Sequence, residues 1–248
     1  MKIALITGVS SGFGLETLKA LIELDYKVIA IARRKERLQN LKELHGDKIY
    51  PIALDIQDKQ AVFEAITNLP QEFQDVSLLI NNAGLALGLD EFDCLSIEDI
   101  ETMIDTNIKG LLYITKATLP LLRKNKNSYI INIGSIAGSI AYHGGNVYCG
   151  TKAFVAQFSK ALRTDLRGSN IKVTNIAPGL CKTEFSEVRF KGDKQKAKMP
   201  YENTKYLSAQ DIAKIISFVI TLPEHININE IELMPVTQSL AGTFSEKI

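Results

Sequence analysis

"ITGVSSGFGLETLKALIEL", residues 6–24, decides how the fold is read. An apolar run of strand length, "KIALIT" (2–7), leads into it, and a segment of helical period leads out. Between them Gly8, Gly12 and Gly14 stand in the spacing GxxxGxG. Glycines at a strand-to-helix turn let backbone N–H groups approach a pyrophosphate at the helix N-terminus, where the peptide dipoles favour an anion. Ser10 and Ser11 add hydroxyl donors, and Phe13 lies between the last two glycines. A ligand-free tight turn would use the same glycines. The strand before and the helix after favour a dinucleotide seat.

The same alternation recurs along the chain. "KVIAIA" (27–32), "KIYPIAL" (48–54), "VSLLIN" (76–81), "YIINIG" (129–134), "KVTNIA" (172–177) and "EIELM" (230–234) read as further strands. Most are apolar at consecutive positions, as expected of a parallel sheet covered on both faces. Helical stretches are predicted near 13–24, 35–45, 58–68, 98–123, 148–168 and 208–221. Right-handed crossovers then give an α/β, doubly wound parallel sheet of about seven strands, a Rossmann fold in a single domain over 1–248. Pro51 lies in the third strand, and proline is tolerated mainly at a sheet edge. In the order 3-2-1-4-5-6 that strand is the edge.

The end of the second strand selects the nucleotide. An NAD site usually offers an acid about 20 residues past the glycines, for the ribose 2′-OH. Here "AIARRKERL" places Arg33 and Arg34 there, with no acid before Glu36. Two guanidinium groups suit a 2′-phosphate, so NADP(H) is the expected cofactor. Asp55 with Ile56, in "ALDIQD", could accept from the adenine amino group; Asp55 could equally cap the helix that starts near Asp58. In "NNAG" (81–84), Asn81 and Asn82 could close backbone bonds, while Ala83 and Gly84 leave room for the cofactor.

Four polar residues converge at this edge by topology. Asn107 interrupts an apolar helix, Ser135 ends the fifth strand, and Tyr148 and Lys152 share one helix face four residues apart. The set suits hydride transfer to a carbonyl. Ser135 would polarise the substrate oxygen, and Tyr148 would give up or accept the proton. Lys152, with an oxidised nicotinamide, would lower the Tyr148 pKa and hold the ribose hydroxyls. Asn107 would anchor a water that passes protons to Lys152. Each member alone has a bland explanation, a surface pair in the case of Tyr148 and Lys152, but the ordered set behind the glycine loop does not.

"TGVSSGFG", "NNAG", Asn107, Ser135, "YCGTK" and "APG" (177–179) resemble the motif set of the short-chain dehydrogenase/reductase family, in order over nearly the whole chain. The resemblance implies the same Asn–Ser–Tyr–Lys roles, and it places Pro178, Gly179, Leu180 and Thr183 beside the nicotinamide, Thr183 on the carboxamide. "ARRKERLQNL", "MIDTNIKGL", "TEFSEVRFKGD" and "LPEHININEIELMPVTQS" are similar, more narrowly, to NADP-dependent 3-hydroxy acid dehydrogenases. That likeness implies serine, allo-threonine or 3-hydroxypropionate as substrate and a homotetramer as assembly. One departure is "PGLCKTEFS" (178–186), a residue shorter than in some members.

Residues 180–206 form a long stretch without a clear strand, which reads as a substrate lid. Arg189 is the candidate for a substrate carboxylate, with a lid surface charge as its plain alternative. Phe185, Phe190 and Tyr201 read as lid packing. The helices near 98–123 and 148–168 carry Leu111, Leu112, Ile114, Phe154, Val155 and Phe158 on more than one face, which suggests burial by a partner subunit as well as by the sheet.

The balance of 29 Lys+Arg against 28 Asp+Glu argues against nucleic acid or an anionic membrane as the main partner. Cys94, Cys149 and Cys181 make neither a disulfide framework nor a zinc spacing, so no metal and a reducing, cytoplasmic location are expected. Two other readings stay open at this stage: a broad NADPH-dependent carbonyl reductase, and a non-catalytic NADPH-sensing module.

Overall fold

In the computed structural model, which describes residues 1–239, β1 (Lys2–Thr7) passes through the glycine turn into α1 (Gly12–Glu23). The alternation continues through β2 (Tyr26–Ala32), α2 (Lys35–His45), β3 (Ile49–Ala53), α3 (Lys59–Thr67) and β4 (Val76–Asn81). Next come α4 (Ile97–Ile104), α5 (Leu111–Leu122), β5 (Ser128–Ile133), α6 (Asn146–Asp165) and β6 (Ile171–Pro178). The chain then runs through α7 (Phe185–Arg189), α8 (Lys194–Lys198), α9 (Ala209–Thr221) and β7 (Glu230–Leu233).

The seven strands form one parallel sheet in the order β3-β2-β1-β4-β5-β6-β7. Pro51 lies in the edge strand β3, opposite Ala30, so its missing N–H interrupts no central ladder. Successive residues of each strand point to opposite faces, and here both faces are covered. Ala4 and Ile6 pack with Leu18, Leu21, Leu38, Ile212 and Ile216 of α1, α2 and α9. Ile3 and Leu5 pack with Val62, Ile66, Ile114 and Leu162 of α3, α5 and α6. That is why the strands read as unbroken apolar runs. Each such valine, leucine or isoleucine contributes roughly 1.5–3 kcal/mol by leaving water.

The helix predicted over 98–123 is divided. Between α4 and α5, Asp105–Gly110 form a π turn, one residue wider than the α ladder on either side. Two local demands meet there. Asn107 must turn its amide toward the loop after β4, and Gly110 must pass Ile56, whose Cδ1 would lie 2.6 Å from a β-carbon at that position.

The stretch 180–206 holds α7, α8 and a 3-10 turn at Met199–Tyr201 rather than continuous loop, and its base is closed. Lys182 N donates to Leu207 O (3.0 Å), and Leu207 N donates to Leu180 O (2.9 Å). Tyr201 donates to Cys181 O at 2.9 Å and meets the Ser186 hydroxyl at 2.6 Å. The excursion ends where Ser208 and Asp211 cap α9 reciprocally. Arg189 O accepts from Gly88 N (2.9 Å), which ties the far end of the excursion to the loop after β4.

Candidate active site

The carboxyl ends of β1, β2, β4, β5 and β6 open on one cleft of about 430 Å³, lined from Ser10 and Arg34 at one end to Tyr142 and Arg189 at the other. Its floor is the glycine turn. Gly8 has φ 74°, a conformation that side chains strain. A β-carbon on Gly14 would collide with the Gly8 carbonyl oxygen and stand 2.6 Å from Asn82 Nδ2. That nitrogen donates to Thr7 O (2.8 Å) and Gly8 O (3.2 Å), and Thr7 Oγ1 accepts from Asn82 N and Ala83 N. The loop after β4 is thereby stapled to the turn. We expect Gly14→Ala to lower Tm by about 2–10 °C, from overpacking of about 1–3 kcal/mol. NADPH affinity, followed by fluorescence titration, should fall about tenfold or more as the turn shifts.

The uncapped start of α1 leaves N–H groups facing the cleft, since the Ser11 side chain makes no cap bond. The Ser10 and Ser11 hydroxyls, expected as donors to a pyrophosphate, accept instead from Arg34. Nε and Nη2 reach Ser10 Oγ at 2.9 and 2.8 Å, and Nη2 reaches Ser11 Oγ at 2.8 Å. Arg34 Nη1 donates to Glu184 Oε2 (2.7 Å), and Arg37 Nη1 donates to Glu184 Oε1 (2.7 Å) and to Ser10 O (3.0 Å). Arg33 lies in the solvent, 3.8 Å from Asp55. Asp55 is not the cap of α3, because Asp58 holds Ala61 N there; its carboxylate accepts from Gln57 N and faces Arg33. Asn81 also departs from expectation. It reaches no backbone group but donates to Thr115 Oγ1 and Asn132 Oδ1 inside the fold.

Asn107, Ser135, Tyr148 and Lys152 do meet at this cleft. The buried Asn107 amide bonds both backbone groups of Leu85, Oδ1 accepting from N at 2.8 Å and Nδ2 donating to O at 2.7 Å, and it donates to Thr151 Oγ1 at 3.0 Å. Both amide hydrogens are committed to protein, so the side chain holds a loop; the expectation that it anchors a relay water leaves it only the remaining lone pair of Oδ1. Lys152 is buried beneath it and donates to Ile133 O at 2.8 Å. Burial holds its ammonium down to a pKa of about 8.

Tyr148 differs from expectation. Burial pushes the phenol above its ordinary value, and the cation that opposes this is Arg189 rather than Lys152. Ser135 lies near enough to favour the ionised form by a hydrogen bond. The Lys152 ammonium stands 5.8 Å from the Tyr148 ring centroid, while the Arg189 guanidinium is nearer, at 5.1 Å.

Arg189 is no surface charge of the lid. Its guanidinium also lies 5.1 Å from the Phe185 ring, and Nη2 donates to Tyr142 OH at 2.8 Å. Its Nε is buried with no hydrogen-bond partner among the described residues. A buried guanidinium N–H is costly to leave unpaired, so the side chain is set to receive an acceptor from the cleft. Thr183 and Phe185 hang from the segment that carries it, and Thr183 Cβ would lie 3.3 Å from a β-carbon on Gly12, directly over the glycine turn. Leu180 N donates to Gln238 Oε1 (2.7 Å), which fixes the turn after β6.

The donor set fits a phosphorylated dinucleotide. It offers a turn a side chain would fill, open N–H groups at a helix start, and arginines beside serine hydroxyls at the end where a 2′-phosphate would lie. Sequence reading missed Arg37, Tyr142, Glu184 and Gln238. Arg37 had a signal, standing one helical turn after Arg34 in "RRKER"; Tyr142 and Glu184 had none of their own.

A family model described as short chain dehydrogenase matches residues 2–194. NADP-dependent 3-hydroxy acid dehydrogenase YdfG of Escherichia coli is 53% identical over 241 residues, covering 97% of each chain. Serine 3-dehydrogenase of Agrobacterium fabrum is 47% identical over 238 residues, 96% of this chain and 95% of its own. Among solved structures, the closed form of a serine dehydrogenase complexed with NADP+ superposes with TM-score 0.95 at 51% identity, covering 99% of this chain and 100% of that one.

Proposed function

The chain belongs to the short-chain dehydrogenase family, and on that premise we propose that it transfers a hydride between NADP(H) and the 3-carbon of short 3-hydroxy acids, with serine, allo-threonine and 3-hydroxypropionate as the expected substrates. NADP is the cofactor, as in the relatives whose names state it. The observation that carries the substrate class is the buried Nε of Arg189, unpaired among the described residues, beside the Tyr148 ring.

In this reading Gly8, Ser10, Ser11, Gly12, Phe13 and Gly14 seat the pyrophosphate side, Arg33 and Arg34 hold the 2′-phosphate, and Asp55 and Ile56 border the adenine. Asn82, Ala83, Gly84 and the run Pro178–Leu180 with Thr183 line the nicotinamide side. When bound, NADP(H) would supply the hydride, and its oxidised ring would add a positive charge to the site. Arg189 holds the substrate carboxylate and so fixes which carbon faces that ring. Ser135 donates to the 3-oxygen. Tyr148 gives its proton to that oxygen in reduction and takes it back in oxidation. Lys152 keeps two N–H donors free beyond Ile133 O, enough to reach ribose hydroxyls, and a pKa of about 8 lets it pass a proton near neutral pH. Asn107 keeps Leu85 and Thr151 in place around it.

The whole chain acts as one NADP-binding domain with residues 180–206 as its lid, working in the cytoplasm as a homotetramer. Support for assembly comes from Leu112, Phe154 and Phe158, which remain only half-buried, with the two phenylalanine rings stacked at 5.7 Å. Leu111, Ile114 and Val155 are consumed by the fold itself. No helix among the described residues is long and apolar enough to cross a membrane.

The test compares a 3-hydroxy acid with its methyl ester. Arg189→Ala should cost about 10- to 100-fold in kcat/KM on the acid, the worth of a charge-assisted pair of about 1.5–3 kcal/mol, and little on the ester. Equal rates on acid and ester in the unaltered enzyme would point to a broad carbonyl reductase instead. Binding of NADPH with no turnover of any 3-oxo acid would point to a sensor.

A further inference from the structure

The Glu184 carboxylate bridges two arginines, one oxygen on Arg34 and the other on Arg37, both at 2.7 Å. It does so from the lid side of the cleft, between Thr183, which roofs Gly12, and α7, which carries Arg189. The same Arg34 fork, just past the end of β2, rests on the Ser10 and Ser11 hydroxyls of the glycine turn. An anion is therefore already parked where two guanidinium groups and two serines converge. It is supplied by the chain itself.

We propose that Glu184 is a resident stand-in for the cofactor's 2′-phosphate: it holds Arg34 and Arg37 while that seat is empty, and the 2′-phosphate displaces it and frees the root of the lid. This rests on the assignment of Arg34 to NADP(H). A phosphate monoester carries close to two charges and three acceptor oxygens, against one charge and two oxygens for a carboxylate, so it wins the exchange. Burial raises the Glu184 pKa, but the hydrogen bonds from Arg34 and Arg37 outweigh it, and the carboxyl is held below its ordinary range. It is thus an anion at every pH where the enzyme would work.

The exchange joins the two ends of the cleft. Glu184 stands five residues before Arg189, and α7 spans nearly all of that interval. A cofactor lacking the 2′-phosphate leaves Glu184 in place and the root of the lid across the groove. Cofactor choice is then read by the substrate end through a short helix rather than only by affinity.

Binding of 2′,5′-ADP and of 5′-AMP to the full-length protein, measured by calorimetry, separates the ideas without turnover. Glu184→Gln keeps the side chain's size at a half-buried position, and should tighten 2′,5′-ADP about three- to tenfold while leaving 5′-AMP unchanged, since solvent-accessible pairs of this kind are worth a few-fold each. In the unaltered protein 2′,5′-ADP should also speed tryptic cleavage at the exposed Lys191, Lys194, Lys196 and Lys198, and Glu184→Gln should be cut faster without it. Unchanged or weaker 2′,5′-ADP binding in Glu184→Gln overturns the proposal, weaker binding meaning a clasp that closes over the nucleotide. If 2′,5′-ADP binds no better than 5′-AMP to either protein, the assignment of Arg34 fails and the inference falls with it.

Discussion

Replacing Tyr148 by Phe should lower kcat about 10²- to 10⁴-fold, the usual worth of a positioned general acid–base, while NADPH still binds. The ring lies 5.7 Å from Phe185 and beneath Arg189, contacts that phenylalanine keeps, so only the hydroxyl is removed. Burial holds the phenol protonated well above its ordinary range. That state suits an acid in reduction. In oxidation the group must first lose its proton, so kcat/KM should climb with pH in the unaltered enzyme, and the climb should vanish in Tyr148→Phe. Fluorescence titration of NADPH, together with rates in both directions from pH 6 to 10, makes the comparison. Retention of more than about a tenth of the rate would remove Tyr148 from the chemistry.

The sheet was legible because its physics is local. Buried parallel strands carry apolar residues on both faces, and each expected run falls within two residues of the strand observed. Pro51 identified the edge for the same reason, since a lost N–H has few places to go. The division of the helix after β4 was not legible. A π turn is fixed by what Asn107 and Gly110 meet in three dimensions, at Leu85 and Ile56, and neither contact leaves a periodic trace.

The site was readable where motif residues stand at the ends of strands, and silent where the lid folds back. Gly8, Ser135, Tyr148 and Lys152 are placed by topology, so their convergence follows from strand order. Glu184 reaches Arg34 at one end of the cleft and Arg189 reaches Tyr142 at the other because the lid folds back through short helices and backbone bonds at Leu207 and Gly88, none of which a sequence pattern announces. The electrostatics were legible only in part. The four-residue spacing places Lys152 correctly below Tyr148, but desolvation reverses the sign of the net shift, and the nearer cation comes from the lid. Proximity in sequence identified the pair, not the balance between burial and charge.

The double substitution Arg33→Ala with Arg34→Ala should cut the preference for NADP over NAD about 10²- to 10³-fold. A guanidinium–phosphate bond is charge-assisted, worth about 1.5–3 kcal/mol, and a 2′-hydroxyl forfeits most of it. The two arginines are not equal. Arg34 is held by Ser10, Ser11 and Glu184, whereas Arg33 lies in the solvent near Asp55, so the larger share should belong to Arg34. Steady-state KM values for both cofactors in the double and single variants apportion it, read at low and at high salt, because screening weakens the 2′-phosphate contact of NADP, which NAD lacks. Equal losses for NADP and NAD would mean that the arginines merely hold the glycine turn through Ser10, and the cofactor assignment would have to rest elsewhere. Loss confined to NADP, shrinking as salt rises, places the 2′-phosphate on Arg34.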